Sequence, residues 1–520
     1  MKNIVLLICI LLTSSLAYAQ NQAKGIVYHD ANKNGKKDKN EKGISGVSLS
    51  NGVEVVQTNS KGEYALPIGN DNVIFVIKPS DYIYPVNAKN QPKFYYIHKP
   101  NGSPTLKYGG VKPTGTIPKS VDFPLYYQKG QENFKAFVFG DPQPYSLEEV
   151  DFFHKDIVKD LKKTDEYQFG ISLGDIAGDN LTLHQPYIDA VADAGLTWFN
   201  VMGNHDMDYD VETDSLSDET FENNFGPNNY AFNYGNAHFI VLDNIYYPFA
   251  TEKYKYIGGF RKSQLDFIEN NLKFVPKDKL IVLAYHIPLI QRNVEFRKED
   301  RQRLFDLLAE YPNTLSVAAH THYQEQLFYG KDQGFQRDKP HHEFNVGTTN
   351  GDWYSGHIKS NGIPNASMRD GTPKGYAILN VKGNTYSFDY KVAGADPSYQ
   401  INVSGPSEIH TKYARKYTIY ANFFMGSSKD KVEYKINNGK WQLMNFTESL
   451  DPSFVQEVLN FDLATSYVKG IRPRDPMISN HLWSFKLPKL KAGSHNIKIR
   501  ATDMYGKQHF ADKKITVIGE

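Results

Sequence analysis

"TWFNVMGNHD", residues 197–206, runs from a short apolar stretch into Gly-Asn-His-Asp. The first half reads as a buried β-strand, and the second places an amide, an imidazole and a carboxylate at its carboxyl end. One such cluster is ordinarily a helix cap or a satisfied polar group. Its meaning depends on the residues at the ends of the neighbouring strands.

From Lys135 onward, apolar runs alternate with amphipathic ones: "KAFVFG", "SLEEVDFFHKDIVKDLKK", "QFGISL", "HFIVLD", "SQLDFIENNLKF", "KLIVLAY", "EDRQRLFDLLAEY" and "TLSVAA". This alternation predicts an α/β layered core over residues 135–392. The core strands are followed in turn by Asp141-Pro-Gln143, Asp175, Asn204-His205-Asp206, His286 and His320-Thr-His322. Carboxyl ends of strands are where open α/β sheets bind ligands. Packing has no use for so many ionisable groups on one rim, because buried charge is costly unless opposite charge collects it.

Divalent metal ions are the natural collectors. Asp141, Gln143, Asp175 and His322 suffice for one ion, and Asp175, Asn204, His286 and His320 for a second, with the Asp175 carboxylate bridging. Oxygen and nitrogen donors without sulfur suit Mn, Fe or Zn. His205 is left over. Beside a two-metal site it is expected to give a proton to a leaving group, with Asp206 fixing its tautomer and orientation.

The blocks "DPQ", "GDIAGD", "GNHD", "YHIP" and "AHTH", in that order, resemble the calcineurin-like metallophosphoesterases. The family pattern is D-x-H, G-D-x-x-D/N, G-N-H-D/E, a lone His and G-H-x-H. The resemblance implies a layered β-sandwich core flanked by helices and hydrolysis of a phosphate mono- or diester. It also implies in-line attack by a metal-bridged hydroxide, with His205 protonating the departing alkoxide. Three positions depart from the pattern: Gln143 replaces a His, Gly178 stands where Asp or Asn is common, and Ala319 replaces a Gly. The bridge, the second ligand set and His205 are intact.

Around this core the pattern is all-β. Residues 20–128 contain "GIVYHD", "GVSLSN", "VEVVQT", "GEYALPI" and "NVIFVIK", spaced as the strands of a small sandwich. Residues 393–520 repeat that style with "YTIYANFF", "KVEYKINNGKWQLM", "LWSFKLP", "SHNIKIRATD" and "KKITVIGE". The expected architecture is therefore an α/β metallophosphoesterase core with an N-terminal and a C-terminal β-sandwich. A phosphoesterase subgroup of secreted bacterial proteins looks similar in this respect.

"DANKNGKKDKNE" fits an EF-hand-type loop in which Asp30, Asn32, Asn34, the Lys36 carbonyl, Asp38 and Glu41 occupy the ligand positions. Its flanks read as strand, so it is similar to calcium-stapled repeats of bacterial surface adhesins, and a structural calcium ion is expected. Near the core site, Asn180 and Trp353 are candidate substrate contacts, and Tyr246 to Phe249 form an aromatic cluster. His341 and His342 fall in a stretch read as a solvent-exposed loop.

Of 520 residues, 59 are Lys or Arg and 58 Asp or Glu, so no overall field draws this chain to nucleic acid or another polyanion. "MKNIVLLICILLTSSLAYA", residues 1–19, reads as a secretory signal peptide. The lone cysteine, Cys9, falls inside it, and disulfide or thiolate chemistry is not expected in the mature chain. No apolar run is long enough to span a membrane. The expectation is an exported protein, periplasmic, cell-surface or secreted, acting on a small-molecule or headgroup phosphoester. Its sandwiches are candidates for glycan or surface contact. The alternative is a surface binding or adhesion protein with a non-catalytic central domain.

Overall fold

The computed structural model describes residues 21–247, 255–291 and 294–519. The signal-peptide reading, Cys9, and Pro248 and Phe249 of the aromatic cluster lie outside the described residues.

Two sheets face each other in the central half of the chain. The first has the strand order Thr197–Asn200, Tyr167–Ser172, Asn133–Phe139, Gly375–Lys382, Thr385–Val392. The second has the order Tyr230–Tyr234, Ala237–Val241, Leu280–Ala284, Thr314–Ala318, His341–Val346, Gln324–Tyr329. Strands 133–139, 167–172 and 197–200 run parallel, as do 237–241, 280–284, 314–318 and 341–346. Antiparallel pairs finish three of the four edges, and Thr197–Asn200 closes the first sheet in parallel.

Burial on both faces explains why these strands are nearly continuous apolar runs. In Asn133–Phe139, Phe134, Ala136 and Val138 pack into the cluster between the sheets, while Phe137 and Phe139 face the outer layer. Between the sheets Phe199 stacks on Phe232 at 4.0 Å and Phe169 on Tyr234 at 4.7 Å. Outside the first sheet, helices Leu147–Asp156 and His184–Ala192 cover that layer with Val150, Phe153, Tyr187 and Ile188. Ser146 caps the first of them, its hydroxyl accepting the Glu149 N–H. Helices Lys262–Leu272 and Lys298–Leu308 bury Leu265, Ile268, Leu304 and Leu308 in the larger cluster. The result is the expected layered sandwich flanked by helices.

The N-terminal segment forms two four-stranded sheets, and the C-terminal segment a four- and a five-stranded sheet. Their cores differ in an unexpected way. Val27, Phe75, Tyr84, Phe94 and Leu125 belong to the same buried cluster as the central sheets, whereas the C-terminal sheets enclose a separate one around Ile419, Trp483 and Ile499. Helices His184–Ala192 and Pro452–Asp462 lie outside the helical runs that the sequence pattern predicts.

The stretch read as an exposed loop at "HHEFNV" is instead a fully buried strand. His341 bonds Ser316 Oγ at 2.7 Å and Thr314 Oγ1 at 2.8 Å, and His342 bonds Gln326 Oε1 at 2.6 Å and the Tyr386 hydroxyl at 2.9 Å. Burial pushes both imidazoles down to about 3. They are neutral packing groups, removed from any phosphate.

Candidate metal centre

The parallel strands of both sheets end on one rim. Strands 133–139, 167–172 and 197–200 deliver Asp141, Asp175 and Asn204, while 280–284 and 314–318 deliver His286, His320 and His322. The chain turns sharply there. Asp141, Gln143, Asp175, His320 and His322 all have positive φ, between 29° and 71°. Left-handed backbone costs a non-glycine residue of order 1–3 kcal/mol, and such strain concentrates where a site demands it. Gly203 allows a close approach: a Cβ there would lie 1.9 Å from the Asp175 nitrogen.

Asp175, His286 and His320 bring one ligand atom each to within 4.8 Å of one another. His286 Nε2 lies 3.3 Å from Asp175 Oδ2, 3.1 Å from Asn204 Oδ1 and 3.1 Å from His320 Nδ1. The other ring nitrogen of His286 donates to the Leu173 carbonyl at 2.8 Å, which leaves Nε2 to face the rim. The Asn204 side chain also meets the Tyr209 hydroxyl. A single proton on Nε2 could serve one of those three neighbours. A cation serves all of them.

A second convergence lies beside the first. His322 Nδ1 donates to the Gly351 carbonyl at 2.8 Å, so Nε2 is the nitrogen that faces Asp141 Oδ2, at 3.2 Å. That oxygen is buried and has no hydrogen-bond partner, while Oδ1 accepts the His320 N–H at 3.1 Å. A nitrogen and a carboxylate oxygen turned to each other in a buried site can share a cation between them. The residues present therefore fit divalent metal, with the Asp175 group the tighter set.

Electrostatics follow from the same crowding. Burial alone would raise Asp175, yet His286 and His205 hold it well below the usual carboxylate range. Burial opposes charge on His286, but Asp175 outweighs it and pushes the imidazole up to about 9. His320, buried beside His286, is pushed down to about 3.

Gln143 sits at the rim, 1% exposed, with its amide engaged at both ends: Asn350 Nδ2 donates to Oε1 and Nε2 donates to the Tyr145 hydroxyl, each at 3.3 Å. Asn350 keeps a buried oxygen without a partner. Asn350 is invisible as a site residue in the sequence because it follows a strand that reads as loop.

His205 stands apart from the convergent nitrogens. Its N–H donates to Asp175 Oδ1 at 2.9 Å, and its Nδ1 meets Asp179 Oδ1 at 2.6 Å. Burial disfavours its charge, but Asp175 and Asp179 outweigh that and push it up to about 9. Asp206 does not steer it, contrary to the expectation from adjacency. Fully buried, Asp206 accepts the N–H groups of Gly203, Ile176 and Ala177 at 2.8–3.1 Å and faces His184 Nε2 at 3.1 Å. Consecutive residues in a tight turn point apart, so the carboxylate after His205 braces two loops instead.

Two further expectations change. Asn180 caps the turn Leu181–Leu183, its oxygen accepting the Thr182 N–H and hydroxyl, which occupies it locally. Trp353 stacks on His322 at 3.7 Å and lies under the Arg474 guanidinium at 3.5 Å, so its faces are not open to a substrate ring.

The family model of calcineurin-like phosphoesterases matches residues 134–324, and those of the N-terminal and C-terminal regions that accompany it match residues 31–108 and 343–509. The chain is a calcineurin-like phosphoesterase. As such it is a metal-dependent hydrolase of phosphoric esters. Among solved structures, this phosphoesterase is similar to purple acid phosphatase PPD1 from yellow lupin (Lupinus luteus) seeds at 11% identity and a TM-score of 0.36, covering 66% of each chain. CopC from Methylosinus trichosporium OB3b matches at 13% identity and a TM-score of 0.13, covering 23% of this chain and 91% of that one. Neither likeness is close enough to carry an inference. A comparison with curated protein sequences finds no significant match.

Proposed function

We propose that this phosphoesterase is exported and hydrolyses a small phosphate mono- or diester at a two-metal rim, with His205 as general acid. The observation that carries the reading is the convergence of imidazole nitrogens, carboxylate oxygens and an amide oxygen on one buried rim, more acceptors than a single proton can serve. Asp141, Gln143 and His322 would hold one cation and Asn204, His286 and His320 the other, with Asp175 shared. Bound there, Mn, Fe or Zn supplies Lewis acidity toward a phosphoryl oxygen and makes water acidic enough to attack at neutral pH.

The protein's own part is proton delivery and orientation. With Nδ1–H committed to Asp179, the proton on His205 Nε2 is the one a leaving-group oxygen can take. Asp179 and Asp175 keep that imidazole charged before the ester bond breaks. Manganese-loaded protein should release nitrophenolate from 4-nitrophenyl or bis(4-nitrophenyl) phosphate, and dialysis against a chelator should stop it. Silence with every divalent metal would overturn the proposal and favour a binding role.

Export rests on the apolar run and small-x-small ending of residues 1–19. Among the described residues no helix is long and apolar enough to cross a membrane. Fractionation of the native host would test it: the mature chain should begin near Gln20, outside the cytoplasm.

Calcium in the loop Asp30–Glu41 is part of the same proposal. The Asn32 and Asn34 amides both turn to Asp38 Oδ2, and Asp30 and Glu41 gather four backbone N–H groups of the loop. Such a preformed loop suits the millimolar affinities of extracellular modules. Millimolar calcium should raise the melting temperature of the full chain, and Glu41→Gln should remove that rise.

A further inference from the structure

A segment of the C-terminal third reaches back to the rim. Gly356 and His357 pair with Ile471 and Gly470, the Ile358 N–H donates to the Lys469 carbonyl at 3.1 Å, and the Met477 N–H donates to the Arg369 carbonyl at 2.9 Å. Between these anchors the Arg474 N–H donates to Asp352 Oδ2 at 2.7 Å, and Asp352 is 1% exposed. The backbone of Arg474 is thus pinned on both sides and at its own N–H.

Its side chain lies on Trp353, which in turn lies on His322 with the two rings 19° from parallel. Two groups each within 4 Å of one ring centroid cannot share a face. The indole is sandwiched, and the guanidinium stands about 7 Å from the imidazole, two stacking layers away. The stack runs outward from buried His322 through half-buried Trp353 to exposed Arg474. The Arg474 charge also acts on the hydroxyl of Tyr145, whose ring meets His205 edge-on at 6.3 Å.

Among the described residues no carboxylate pairs with the Arg474 guanidinium. Arg472, two positions earlier, is by contrast tied to Asp462 and Asp475. A guanidinium held on an aromatic face with its N–H edge free of acid is well formed for an oxyanion. The indole stands between it and His322, so the guanidinium lies one ring outside the buried rim. We propose that Arg474 binds a second anionic group of the substrate, distinct from the phosphoryl group that reacts at the buried rim. This inference rests on the metallophosphoesterase reading of that rim, and it gives the C-terminal region a place in substrate selection.

Two probes matched in length test it by titration calorimetry on the manganese-loaded full chain: propylphosphonate and 3-phosphonopropanoate, which adds a carboxylate. Wild type should bind the carboxylate-bearing probe about tenfold more tightly. Arg474→Gln should erase that preference while leaving propylphosphonate affinity within about twofold, and Arg474→Lys should retain part of it. Absence of a preference in wild type, its survival in Arg474→Gln, or equal loss on both probes would each overturn the second-anion site. Binding of neither probe to metal-loaded wild type would sink the reading of the rim itself, and this inference with it.

Discussion

Replacing His205 by Ala removes the imidazole whose Nδ1 rests on Asp179 at 2.6 Å. Turnover of alkyl phosphates, whose leaving group needs a proton, should fall about 100-fold or more, whereas nitrophenyl phosphate should lose far less. Equal losses on both substrates would argue against the acid role. Asp179→Asn should reproduce a weaker version of the same leaving-group bias, because it weakens the hold on the imidazole without removing it. Asp206→Asn should show no such bias, since that carboxylate touches backbone and His184 and not His205. A leaving-group series run on the three variants separates the two carboxylates, which adjacency in sequence does not.

The turn between strand 197–200 and the residues after it depends on two groups that do no chemistry. Asp206→Ala would leave three buried N–H groups and His184 without their acceptor, and should cost roughly 3–5 kcal/mol in urea unfolding. Gly203→Ala would drive a methyl group into the Asp175 backbone, so bound manganese per chain, measured by elemental analysis, should collapse. In the second sheet, Glu343 is fully buried under the hydroxyls of Tyr285 and Tyr329. Burial pushes its carboxyl up from 4.5 to about 7, against the hydrogen bonds it accepts. The folded state then holds a proton that the unfolded chain releases. Its contribution is full below about pH 4.5 and is lost as pH rises through about 7. Glu343→Gln should flatten that fall, read as urea midpoints at pH 5 and 8.

Across the whole chain the buried apolar clusters, and not the sheets, mark the cooperative units. The N-terminal strands share one cluster with the catalytic core, and Lys78 reaches across to the Asn233 carbonyl and the Tyr234 ring. The C-terminal sheets enclose their own cluster. Differential scanning calorimetry should therefore resolve two transitions, with the N-terminal sheets melting together with the core. Metal removal should lower the core transition and leave the C-terminal one in place. Three separate transitions, or a shift of the C-terminal one on chelation, would contradict this division.

The sequence by itself determined the alternation of strand and helix, the order of the polar blocks at the strand ends, and from these the layered core. Each follows from short-range periodicity, which the local chain carries without help. Only the tertiary structure decided which carboxylate holds His205, why His341 and His342 are packing groups, and that Asn350 and Arg474 border the rim. Those outcomes depend on contacts between residues far apart in the chain. Arg474 meets Trp353 because the 469–477 segment pairs with the 350–370 loop, and His342 is buried because strand 341–346 lies between two others. No window of sequence contains both sides of such a contact, so burial and partner choice are settled only when the sheets close on each other.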